Sequence, residues 1–129
     1  MKKIYSLIIL LVFGVFTLTS CLTTQAQLKL AEAINYSKQG NEAMYVKLVK
    51  EAHDLDPEDP FIINDIARVY WDENNLAEAE AHYKECIQKA GDLKIGKSDM
   101  AQYEGKPLKM LCEDNLKKFQ DWKAKQGKK

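Results

Sequence analysis

The chain carries no net charge: 19 basic residues balance 19 acidic ones across 129 positions. No basic field exists to draw in nucleic acid. Histidine is scarce, and His53 and His82 fall in different predicted helices. Asp54 adjoins His53, but neighbours along a helix do not face each other. His82 and Cys86 lie one turn apart with no third or fourth ligand near them, so no metal centre is expected. No serine, histidine and acid are tied together by spacing, so no catalytic constellation is expected either, and no cofactor. The longest apolar run, Ile4 to Leu18, falls short of the roughly 20 residues a membrane span needs.

That run has a different meaning. Lys2 and Lys3 give a basic start, the apolar stretch follows, and small and hydroxyl residues close it. This is the layout of an export signal. Its end, Leu18-Thr19-Ser20-Cys21, resembles the lipobox of bacterial lipoproteins. The resemblance implies cleavage before Cys21, a diacylglycerol thioether on Cys21, and a membrane-anchored protein facing the periplasm. Leu22 stands where aspartate marks retention in the inner membrane of many Gram-negative bacteria, which favours the outer membrane. An ordinary signal cleaved after Ala26, at Thr24-Gln25-Ala26, is the alternative. With cleavage before Cys21, residues 1–20 are the leader and 21–26 a linker. Without Lys2 and Lys3, 17 basic residues face 19 acidic ones in a single domain of 109 residues. Cys86 and Cys112 pair in an oxidising compartment, or serve as small hydrophobes at apolar helix positions.

Residues 91–98, GDLKIGKS, match every fixed position of a phosphate-binding P-loop. A working P-loop follows a buried strand and opens a helix. Gly91 instead follows a predicted helix, and Glu85 to Ala90 contain no β-branched run. The motif reads as a glycine-containing loop. Asp54, Asp56, Glu58, Asp59 and Asp65 suggest a calcium loop, but Asp59 stands at the required glycine, and Pro57 and Pro60 stiffen the segment. An inter-helix turn explains them.

The middle of the chain has helical period. Ile63, Ile66, Ala67 and Tyr70 line one face, with Asp59 and Pro60 as cap and first turn. Asn74 and Asn75 break the pattern. Asn75 and Glu78 form a variant capping box for a second helix carrying Leu76, Ala79, Tyr83, Cys86, Ile87 and Ala90 on one face. The pair resembles the tetratricopeptide repeat, a helix–turn–helix unit of 34 residues. Ile66, Ala67, Tyr70, Ala79, Tyr83 and Cys86 match its signature positions. Asn74 replaces the usual glycine, and Gly91 replaces the closing proline. One period earlier, Ala33, Tyr36, Gly40, Ala52 and Pro57 give a weaker copy, with Glu32 and Tyr45 departing from the pattern. Its second helix, about Asn41 to Leu55, carries Met44, Leu48, Val49, Ala52 and Leu55 on one face. After Gly91 the period fades, with one short helix expected near Ser98 to Tyr103. From Pro107 an amphipathic helix carries Leu108, Leu111, Cys112, Leu116, Phe119 and Trp122.

The expected fold is therefore all-α: a helical domain over 27–124, with repeats at about 26–59 and 60–93, a degenerate third hairpin or cap over 94–124, and a basic tail at 125–129. The resemblance implies a concave face, lined by first helices, that binds an extended peptide. Phe61, Asn64, Arg68, Trp71 and Asp72 fall on it. Asn64 and Arg68 share a helix face and suit a peptide backbone or carboxylate. Trp71 is either an anchor for a partner or a packing residue against the next hairpin. The earlier helix offers Leu30 and Ile34 at the matching places, so a full carboxylate clamp is not expected. The expected role is a non-catalytic adaptor holding a protein or peptide partner, or else a homo-oligomer that completes a short core against a second copy.

Overall fold

A computed structural model describes residues 24–96 and 101–127. The leader, Cys21, Lys97, Ser98 and the final two lysines lie outside the described residues. Within them the fold is all-α, with no strand and a single isolated bridge between Lys94 and Pro107. The chain divides into two compact units between Asp56 and Pro57.

The first unit holds α1, helical over 24–38, and α2, Glu42–Leu55. Residues 24–26, expected as the end of a linker, are already helical. Ala26, Leu30 and Ala33 form the buried face of α1, spaced by four and three residues. Gly40, at φ +74°, turns the chain where a side chain would be strained. Asn41 then caps α2, its side chain accepting from the Met44 amide at 3.2 Å. The buried face of α2 is Tyr45, Leu48, Val49 and Ala52, while Met44 and Leu55 are only half-buried. Tyr45, which departs from the repeat pattern, is thus a core residue. A Lys29–Glu51 ion pair joins α1 to α2.

The second unit opens with α3, Pro60–Asp72. The Asp59 carboxylate accepts from the amides of Phe61 (2.8 Å) and Ile62 (3.4 Å), two donors that the helix itself leaves unpaired. Asn74, at φ +60°, is the one non-glycine in the left-handed region among the described residues. It ends α3 as asparagine is able to. Asn75 precedes α4, Leu76–Lys89, but makes no side-chain cap bond, so the expected capping box does not form. Its backbone amide is tied instead to the Tyr70 carbonyl (2.8 Å), which fixes the entry to α4 through the turn. Gly91, at φ +50°, follows the end of α4 as the expected glycine cap.

Between α4 and α5 the described residues, 91–96 and 101–107, hold a single 3-10 turn, Ala101–Tyr103, and the long α5, Leu108–Gln126, follows. Backbone bonds close the neck of this loop: Ile95 to Lys106 (2.9 Å), Gly105 to Ile95 (2.8 Å) and Leu108 to Leu93 (2.8 Å). α5 packs on α4 and touches α3. Two apolar clusters result. One joins Ile63, Cys86, Ala90, Leu108, Leu111 and Cys112 to Ile95 and Tyr103 of the loop. The other holds Ala67, Ala79, Tyr83 and Phe119, with Tyr70, Trp71, Leu76 and Leu116 at its rim.

Candidate functional site

Part of the α3 row singled out by sequence meets α5. Asn64 is buried, at 9% exposure, and its Oδ1 accepts from Asn115 Nδ2 at 2.9 Å. Two helical turns on, Trp71 meets Trp122 with ring centres 5.5 Å apart. Both pairs are separated by 51 residues, so α3 and α5 run in the same direction in one register. Trp71 also meets Phe119 edge-on at 5.4 Å, the preferred geometry for two ring quadrupoles. Trp71 is therefore a packing residue as well as a half-exposed one. Phe61 is half-buried against the cluster that holds Cys112. Arg68 and Asp72 form an ion pair at 3.6 Å on the same helix, with both side chains partly exposed. Of the five expected partner-binding residues, Phe61, Asn64 and Trp71 are engaged with this core. Arg68 and Asp72 pair with each other, Arg68 half-buried and Asp72 exposed.

The cysteine question resolves as a disulfide between Cys86 and Cys112, with Cα atoms 5.9 Å apart and both residues fully buried. It joins α4 to α5. Lys123 adds a bond to Glu80 at 3.1 Å across the same interface. Hydrogen bonds from Lys84 and Lys123 hold the Glu80 carboxyl below its ordinary range. The Tyr103 hydroxyl donates to Asp114 (2.8 Å), which pins the loop to α5 and raises the Tyr103 phenol. Burial pushes the Tyr83 phenol up strongly. Asp65 and Asp72 add to that shift, and Arg68 opposes it.

The other candidates take structural places. His82 Nδ1 lies 2.8 Å from the Glu78 carbonyl oxygen, and its ring stands beside Tyr70. Cys86 is committed to the disulfide and is not available to share a metal with His82. Among the described residues, no group of three or more histidine, cysteine or acidic side chains could hold a metal ion. Glu58 pairs with Lys89 at 2.6 Å, and Asp59 is a helix cap, so the acidic run between Asp54 and Asp65 has local work. Gly91 closes a helix, and residues 92–96 run into the neck of the loop. That is the reverse of the strand-then-helix order a P-loop needs.

Sequence reasoning missed Asn115 and Trp122 as the partners of Asn64 and Trp71. A signal for them is present: asparagine followed seven residues later by tryptophan occurs on both α3 and α5. Comparison with family models, with curated proteins and with solved structures gave no match.

Proposed function

We propose that the protein is an exported, lipid-anchored, tetratricopeptide-like module that holds a peptide or protein partner and has no catalysis of its own. The observation that carries this reading is the common register of α3 and α5. A helix laid parallel to the first helix of a hairpin, against its second helix, is what stacked hairpins produce. α5 then stands where the first helix of a following unit would stand. The Cys86–Cys112 disulfide suits an oxidising compartment such as the periplasm. The leader and Cys21 supply the anchor, at the outer membrane in preference to the inner. The partner surface is the outer side of α3: Arg68, Asp72 and the exposed edge of Trp71, with Phe61 and Asn64 behind them.

Self-association is the weaker reading. Lys109, Glu113, Lys117 and Asp121, all exposed, lie along α5 as i,i+4 ion pairs, which does not suit an apolar face awaiting another helix. Crosslinked pull-down of the full-length protein from intact cells tests the choice, with wild type beside an Arg68→Ala/Asp72→Ala variant. A dominant partner lost in the variant supports the adaptor and its site. Recovery of the protein alone favours self-association.

A further inference from the structure

We infer that the first two turns of α1 lie in the headgroup layer of the membrane, with Leu28 inserted among the lipids. The protein then rests on the bilayer and does not swing on a tether. This rests on the proposed lipidation of Cys21.

The first argument is length. Helix α1 is already formed at residue 24. Three peptide steps separate Cys21 from Thr24, and together they span at most about 11 Å in any conformation. The acyl chains of a lipidated Cys21 sit in the hydrocarbon, which holds the cysteine at its boundary. The headgroup layer beyond that boundary is roughly 5–8 Å thick. That reach exceeds the layer by only a few ångströms, so α1 begins within the headgroups or just beyond them.

The second argument is what α1 presents there. Leu28 is 66% exposed, more than Ile34, Leu93 or Met110, the other exposed large apolar side chains among the described residues. It stands one turn beyond Thr24, about 6 Å along the axis. Thr24, Gln25 and Ala31 are exposed and uncharged. No acidic residue precedes Glu32 in the whole chain, so nothing in these turns repels lipid phosphate. Lys29, the single charge, is paired with Glu51 of α2. Farther from Cys21 the exposed positions become Glu32, Asn35 and Lys38, with Ile34, at 38% exposure, the one large apolar side chain among them. The polarity of α1 is thus graded with distance from the anchor, and an exposed leucine near an anchor gains from burial in the interface.

The test uses the processed full-length protein, purified from membranes and reconstituted in phosphatidylethanolamine–phosphatidylglycerol vesicles. In Leu28→Cys the new thiol is the only free one, because the Cys21 sulfur carries the diacylglycerol thioether and Cys86 and Cys112 are joined. An environment-sensitive fluorophore on it is expected to shift to the blue and to be quenched by lipids carrying a nitroxide near the headgroup. The same fluorophore on Asn35→Cys, two turns farther along α1, is expected to stay water-like. Mass spectrometry of the same sample reports the state of Cys21. A lipidated Cys21 with a water-like probe at position 28 overturns this inference and leaves the anchor standing. A blue shift without lipid quenching assigns Leu28 to a protein contact and also overturns it. An unmodified Cys21 overturns the anchor and the inference together.

Discussion

The two clusters of the α3–α4–α5 unit are held by different means. Near the start of α5 the buried helix side chains are aliphatic or small, and part of the wall is a loop that contributes Ile95 and Tyr103. A covalent bond, Cys86–Cys112, closes that end. Toward the other end of α5 there is no covalent bond. Phe119 is fully buried, and Trp71, Tyr83 and Trp122 have ring centres 5.4, 6.1 and 6.4 Å from it. Aromatic rings bury much surface per residue and interlock in preferred angles. A loop with only Ile95 and Tyr103 turned inward cannot do the same. The comparison teaches that one short helical unit closes one end by restricting the unfolded chain and the other by burying rings.

The largest expected effect comes from removing the central ring. Phe119→Ala costs about 3–5 kcal/mol through lost burial and the cavity left behind, read from urea unfolding. A cost below about 1 kcal/mol would break the comparison. Next, removing the disulfide in Cys86→Ala/Cys112→Ala costs about 3–4 kcal/mol on the chain-entropy account for its 26-residue separation. A dithiol lowers the wild-type unfolding midpoint and leaves that variant unchanged. Asn115→Ala leaves buried Asn64 without its partner and costs about 1–3 kcal/mol. Adding Asn64→Ala recovers part of that loss in a double-mutant cycle. The smallest effect is alkaline. The Tyr83 phenol is raised in the folded state, so its contribution is complete below pH 10, the ordinary value, and declines as pH rises above it. Each unit above pH 10 costs up to about 1.4 kcal/mol, and Tyr83→Phe flattens the alkaline limb of the denaturation profile.

Much of the local structure was legible in the sequence. Asp59-Pro60 marked the start of α3 because a carboxylate cap and a fixed φ are local devices. Asn74 and Gly91 marked ends because few residues tolerate a left-handed backbone. The faces of α3, α4 and α5 followed from apolar spacing. What depended on partners distant in sequence was not legible. Apolar period says that Trp71 and Trp122 each border a buried face, but not that they meet. The choice between a disulfide and two apolar cysteines required the crossing of α4 and α5. The row from Phe61 to Asp72 was placed by resemblance on a partner-binding face, with Trp71 left open between anchor and packing residue, because a resemblance gives a face and not its occupant. Half of that row is covered by α5. The capping box failed for a related reason: Asn75 and Glu78 have the right spacing, but the preceding turn holds the backbone at that point.

The closed neck of the loop has a practical consequence. Three backbone bonds hold Leu93, Ile95, Gly105, Lys106 and Leu108 together, and Tyr103 holds Asp114 of α5, so the helices sense these contacts and not the length of chain between Gly96 and Ala101. The entropic cost of a longer excursion grows only logarithmically. A reporter peptide spliced in after Gly96 should therefore leave the fold intact, and this loop is the place to put an epitope for following the protein in cells.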